Sequence, residues 1–388
     1  MEGELWVDKF YIGKNMPTAP VMLNNRIMYY AGLNTNELVK YDIESKKILE
    51  KVYIPEKEKC AQLIKDMHIY ENYIYMVPGR GGYVYIYDMN TKKIQVIENR
   101  YLKHRKRKIN IKESVSYNNY IWCLCNEDDV ILKIDMENKS IYEIDFSYMK
   151  CSSNLGEMCI WEDKIYISGK ESECGLVLNL HNDEIKLWEA GANLEYFSIV
   201  DGCAYYMICQ DNKCLIYKRN ILNGCNSLEK EICLSESIDQ NAFRYVRRFE
   251  NKLIFLPYKL PYMISYDTKT KVVEANKLDI CILNNLVGKE FGVNNYIRSL
   301  YETDDGYIAV MSYKPCIVYL DKSFEINEIF EEDIDMDICN KSQIVDEVMR
   351  EFLLPGYDNL IEADKKRCVA NISLYSVGEN IHNYMLNL

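Results

Sequence analysis

No uninterrupted apolar run in this 388-residue chain approaches the roughly 18 residues that a membrane-spanning helix needs. The first residues, Met-Glu-Gly-Glu-Leu-Trp-Val-Asp, have neither the positive start nor the apolar centre of a secretion signal. A cytoplasmic location and no membrane partner are therefore expected. Cys-x-x-Cys is absent, and the four histidines (His68, His104, His181, His382) are scattered with no second ligand at metal-binding spacing. No metal and no cofactor are expected, and Cys123 with Cys125, which a strand would point to one side, reads as packing rather than half a site. The fifteen cysteines are odd in number and several fall inside apolar runs, which suits free thiols better than a disulfide framework. Gly-x-Ser-x-Gly and His-Glu-x-x-His are missing too, so hydrolytic catalysis has no recognisable motif. Positive charge is also short: 47 Lys and Arg stand against 59 Asp and Glu, a net −12 that argues against nonspecific binding to nucleic acid or anionic lipid.

What the chain does have is a repeat. Polar turn formers recur at Asn24-Asn25, Glu71-Asn72, Asn118-Asn119, Glu162-Asp163, Asp201-Gly202, Glu250-Asn251 and Asp304-Asp305-Gly306, each between two short apolar runs. About fifteen residues later comes an aromatic or aliphatic residue, usually followed by Asp: Tyr41-Asp42, Tyr87-Asp88, Ile134-Asp135, Leu178-Asn179, Tyr217-Lys218, Tyr266-Asp267 and Leu320-Asp321. Successive turns lie 39 to 54 residues apart, the spacing of propeller blades rather than of helical pairs. The runs at 73–77, 120–125, 164–167 and 253–256 are β-branched and aromatic, as strands are. The expected fold is all-β: a seven-bladed β-propeller of four-stranded antiparallel blades over residues 1–330. Asp-x-x-Ser/Thr/Asn-Lys after the second marker suits the turn before each last strand, because Asp accepts hydrogen bonds from the backbone two residues on.

The pattern resembles the propellers of the WD40 and kelch type, although Gly-His, Trp-Asp and the paired glycines of kelch blades are absent. It is closer to divergent bacterial propellers whose blades carry a Tyr-Asp-x-x-Thr-Lys turn, as at 87–92 and 266–271 here. That resemblance implies a ligand or partner at the central funnel. It leaves enzymes, sensors and scaffolds open.

Past residue 331 the strand rhythm stops. Ile344, Val345, Val348, Met349, Phe352 and Leu353 recur at helical spacing, and Pro355-Gly356 stops them. Residues 331–388 are expected to be a short C-terminal helical extension that packs on the ring or docks a partner.

Comparing blades at one register singles out the candidate site. Seven residues before each turn stand Thr18, Lys65, Lys112, Gly156, Glu195, Arg244 and Arg298. Near the tip of the loop between second and third strands stand Arg80, Lys259 and, within one position, Lys314. Lys65, Arg80, Lys112, Arg244, Lys259, Arg298 and Lys314 thus form a cationic arc on one face. Like charges so gathered repel unless an anion or buried carboxylates balance them. Asp66, Glu113 and Glu302 are close enough in sequence to be such partners. The Pro-Gly-Arg-Gly-Gly loop at 78–82 could present backbone N–H groups to an anion, and Tyr258 beside Lys259 suits a sugar, nucleotide or peptide carboxylate, or equally a well-packed loop. The basic run at 102–108 is read as a solvated loop, with RNA or an acidic protein as the alternative.

The expected function is a binding or scaffold propeller whose funnel holds an anionic small molecule or an acidic protein or peptide segment. The alternative is a propeller enzyme (lyase, lactonase, or glycan- or peptide-modifying) using the same funnel. Glu195 is the one acid singled out as a candidate base, with an ion pair as its ordinary role.

Overall fold

A computed structural model describes residues 15, 17–33, 35–55, 63–79, 83–97, 111–125, 129–149, 155–169, 174–191, 194–235, 242–258, 260–279, 297–311 and 316–332. They form seven four-stranded antiparallel sheets, each built from four consecutive strands, here A to D in chain order. The A strands are Pro17–Leu23, Ile64–Tyr70, Ile111–Tyr117, Leu155–Trp161, Phe197–Val200, Phe243–Phe249 and Ile297–Glu302. A strands of neighbouring blades touch one another, so they line the central channel. The D strands, such as Lys47–Tyr53, alternate between exposed and half-buried residues and form the rim. The last D strand, Ile326–Glu331, reaches one residue past the expected end of the ring. The expected C-terminal helices lie outside the described residues. Among the described residues no helix is long and apolar enough to cross a membrane.

The first marker is an A–B hairpin that needs left-handed backbone. Asn24, Asn25, Glu71, Asn118, Glu162, Asp201 and Glu250 all have φ between 48° and 52°, the region Asn, Asp and Gly tolerate best. The Asp of the second marker caps the C–D turn. Asp88 Oδ1 accepts from the N–H groups of Asn90 and Thr91, and Asp267 Oδ1 from those of Lys269 and Thr270. These N–H groups, those of Thr91 and Thr270 foremost, hold both carboxyls below the usual aspartate range. In blade five the marker shifts. Its B–C hairpin is tight and its strands are eight residues long, so the equivalent pair is Arg219-Asn220 rather than Tyr217-Lys218; Asn220 Oδ1 accepts from Leu222 N and Asn223 N.

Alternation along each strand sends successive side chains to opposite neighbours. In the blade-two B strand, Ile74 and Met76 pack toward blade one while Tyr75 and Val77 pack toward blade three. Seven apolar clusters among the described residues result, each between one pair of adjacent blades, the last joining Ile308, Val310 and Ile317 to Met28, Tyr30, Val39 and Tyr41. The marker tyrosines add a polar tie across several interfaces. Tyr266 donates to Glu229 at 2.9 Å on the previous blade's D strand, Tyr87 bonds Glu50 in the same way, and Tyr41 meets Tyr319 at 2.6 Å. Replacing Tyr266 by Phe is expected to cost about 1 kcal/mol, because Lys271 still satisfies Glu229 at 2.8 Å; urea unfolding of the variant measures it.

Among the described residues the ring closes without exchanging a strand between blades. Asn15 N donates to Glu332 O at 2.9 Å, and the Glu332 carboxylate, 4% exposed, accepts from Asn15 Nδ2 at 2.8 Å and Tyr30 Oη at 2.5 Å while pairing with Lys51.

Candidate functional site

The register that singled out Lys65, Lys112, Arg244 and Arg298 is the second residue of the A strand in six of the seven blades. In blade five Glu195 stands two residues before its shorter strand. Immediately after that position the A–B pairing slips, for instance between Thr18 and Val21, Ile64 and Asp66, Phe243 and Val246, and Ile297 and Ser299. Bulges of this kind re-aim side chains at barrel and propeller rims. At the third position of the A strand Ala19 and Tyr245 take φ of 47° and 62°. Left-handed backbone strains an L residue, most of all a bulky one, by about 1–2 kcal/mol.

The re-aimed residues enclose a channel cavity of about 330 Å³, lined among others by Lys65, Asp66, Glu113, Tyr245, Arg247 and Arg298. Its charge is mixed rather than uniformly cationic. Asp66, Glu113 and Glu157 occupy the same third position of the A strand in blades two, three and four, one residue beyond the expected cations. Arg298 reaches across blade one, donating to Thr18 Oγ1 at 2.6 Å and to the Lys65 carbonyl at 3.2 Å. Asp66 is held by Ser114, whose hydroxyl donates at 2.8 Å, and His68 Nε2 meets the same hydroxyl at 2.7 Å. This trio is not a catalytic relay: Asp66 lies 3.8 Å from Nε2, the nitrogen that faces Ser114, and so does not orient the ring from its far side. Arg247 stands 3.7 Å from Glu157, which is 6% exposed, and 5.4 Å from the Tyr245 ring centroid.

Enclosure by seven blades shifts the titration of these groups even where water reaches them. Burial, together with the neighbouring Arg298 guanidinium, pushes the Lys65 ammonium down to about 8. Burial raises Glu113, with Lys65 opposing. It pushes Glu157 up to about 8 against the pull of Arg247, and Tyr245 up to about 12. Arg247 is raised, because Glu157 and Glu113 together outweigh the cost of burying its charge.

The structure thus brings Lys65 and Arg298 to one cavity, with Lys112 close enough to act on Lys65. Arg244 points elsewhere: its guanidinium stacks 3.5 Å over the Tyr258 ring centroid, which covers the aromatic expected to serve a ligand beside Lys259. Arg80, Lys259 and Lys314, together with the basic run at 102–108, lie outside the described residues. Glu302 ends its strand and is not among the cavity-lining residues. The Glu195 carbonyl accepts from Ser168 Oγ at 3.0 Å, and its carboxylate bonds the Tyr196 side chain. Blade four has no cation at this register for a packing reason. A Cβ on Gly156 would lie 2.1 Å from Ser168 Oγ and 3.0 Å from Glu195 O.

Arg247, Tyr245 and Tyr301 escaped the sequence comparison, which followed one position of the A strand only. The acidic triplet one residue later was a readable signal; Arg247 and the two tyrosines reach the cavity through bulges that no sequence rule locates. Among the described residues there is no group of three or more potential metal ligands, and the described cysteines are free thiols.

No known family and no curated protein sequence matches the chain. Solved structures do match in fold. A streptogramin B lyase aligns with a TM-score of 0.56 at 12% identity, over 78% of this chain and 92% of that one. A catalytically inactive virginiamycin B lyase from Staphylococcus aureus with quinupristin aligns with a TM-score of 0.57 at 9% identity, over 84% and 97%. The protein U3-55K aligns with a TM-score of 0.54 at 8% identity, over 77% and 89%. At such identities the likeness is one of seven-bladed architecture, shared by enzymes and by WD40 scaffolds alike.

Proposed function

We propose that the protein is a binding propeller whose channel cavity holds a small anionic ligand, or the acidic end of a partner segment. The observation that carries this reading is the concentration of Lys65, Arg247 and Arg298 around one cavity in a chain of net charge −12. Among the described residues no carboxylate comes within 4.0 Å of the Lys65 ammonium, and Arg247 has only the distant Glu157. A half-buried cation whose counter-charges stand beyond contact distance loses part of its hydration, and an anion entering the cavity offsets that cost. The volume sits at the small end of ligand pockets. Cytoplasmic residence belongs to the same proposal, because the absence of a disulfide among the described cysteines suits a reducing compartment.

The test is a thermal-shift panel of phosphate, short-chain mono- and dicarboxylates and acidic peptides at low and high salt. A salt-sensitive rise in melting temperature that disappears in Lys65→Met supports the reading. Hits that survive this substitution would place the anion elsewhere and overturn it.

An enzyme in the same cavity is the second reading, favoured by Glu113 and Lys65, an acid and a base shifted toward neutrality side by side. Turnover of a hit that stops in Glu113→Gln while binding persists would establish it.

A further inference from the structure

The cavity holds three groups with no hydrogen bond or close ion pair among the described residues: the Lys65 ammonium, the Glu113 carboxylate and the Tyr245 hydroxyl. All three are half-buried and open to water, and a polar molecule that enters the cavity can take the place of that water on all of them at once. The three differ in what they ask for. Lys65 donates and is positive, and Arg298 beside it brings a guanidinium whose bonds to Thr18 and the Lys65 carbonyl use only part of its five donors. Glu113 accepts, and neither Ser114 nor His68 turns to it, because the Ser114 hydroxyl donates to Asp66 and His68 bonds that same hydroxyl. Tyr245 presents its hydroxyl from a strained backbone, φ 62°, and strain of this kind persists where surrounding structure maintains a functional geometry. Ala19, Pro20, Phe249 and Leu300 add apolar surface to the wall.

We infer that the cavity takes a small zwitterion, a molecule of the amino-acid or dipeptide class, with its carboxylate on Lys65 and Arg298 and its ammonium on Glu113. The inference rests on the anion reading above and adds the second charge. A ligand with a carboxylate alone leaves Glu113 facing it, and like charges in an enclosed cavity oppose binding. An ammonium alone meets three cations. Only a molecule carrying both signs matches the two sides of the cavity, and the small excess of positive charge favours one with an additional carboxylate.

The experiment is a calorimetric comparison, on the full chain, of the twenty amino acids and their glycyl dipeptides with the N-acetyl form and the amide of each. Acetylation removes the ammonium and amidation the carboxylate, at nearly constant shape. At least one free form is expected to bind tenfold or more tighter than both of its derivatives. Glu113→Gln, whose melting temperature is recorded as a folding control, is expected to bring the free form down to the affinity of the N-acetyl form and to leave the latter unchanged. N-acetyl forms that bind as tightly as the free ones would overturn the zwitterion and leave the anion reading standing. Amides that bind best, or no binding by any of the three forms and by phosphate and succinate, would overturn both. If Glu113→Gln does not fold, the three-way comparison on the unaltered protein decides by itself.

Discussion

Replacing Glu332 by alanine is expected to destabilise the ring by about 3 kcal/mol or more, since breaking a buried charged cluster leaves its partners unsatisfied. Its carboxylate joins Asn15 Nδ2, the Tyr30 hydroxyl and the Lys51 ammonium at the one interface where the chain's two ends of the propeller meet. Elsewhere adjacent blades are also held by the loop that connects them; blades seven and one are held by side-chain packing, by the Asn15 N to Glu332 O bond, by this cluster and by cross-blade contacts such as Tyr41 with Tyr319, Lys46 with Glu328 and Arg298 with Thr18. Glu332→Gln keeps one acceptor for Tyr30 or Asn15 and loses the charge opposite Lys51, so its loss should be intermediate. Scanning calorimetry of the three proteins gives the order. An alanine variant that melts with the parent would show that the apolar cluster of Tyr30, Tyr41 and Ile308 closes the ring unaided.

The second large effect is a pH dependence centred on Glu157. With its carboxyl pushed up to about 8 in the ring, against an ordinary value of 4.5, the folded protein holds a proton that the unfolded chain releases. Stability supplied by the protonated group is complete below about 4.5 and is lost as pH rises through about 8. Glu157→Gln keeps a neutral side chain throughout, so its stability relative to the parent is expected to rise between pH 5 and 8, by on the order of a few kcal/mol. Lys65 acts in a different window. Its pKa falls from 10.5 to about 8, so the unfolded chain binds the extra proton there and stability rises with pH across that interval. Urea unfolding at a series of pH values separates the two. Parallel curves for parent and Glu157→Gln from pH 5 to 8 would mean that Arg247 keeps Glu157 ionised in the folded state.

Much of the architecture was legible because turn chemistry is local. Asn24-Asn25 and Glu71-Asn72 mark hairpins through backbone φ, and Asp88 and Asp267 mark turns through two hydrogen bonds each, so their spacing survives any change in packing. Blade five misled at Tyr217 because a tight hairpin lengthened two strands without altering the spacing of apolar residues. The candidate site was legible only in part. Its register identified the second position of each A strand, hence Lys65 and Arg298, and the neighbouring acids Asp66 and Glu113. Which of these turn into the channel depends on bulges at Thr18 to Val21 and Phe243 to Val246, where one residue of slip exchanges the faces of the strand. Arg244 and Arg247 illustrate the consequence: three residues apart on one strand, the first stacks on Tyr258 and the second enters the cavity. Arg298 has a structural share as well, since it bonds Thr18 of blade one and the carbonyl of Lys65 in blade two. Its removal is expected to lower the melting temperature along with binding, which makes Lys65 the cleaner probe.

The central claim is that the channel cavity binds the anionic group of a ligand, and its most direct measurement is calorimetric titration of the parent and of Lys65→Met with phosphate, succinate and the strongest hit of the panel. The account predicts binding to the parent that weakens with salt and falls at least tenfold in the variant, with the variant melting no lower than the parent. Equal affinity in the two proteins, at any salt, would contradict it.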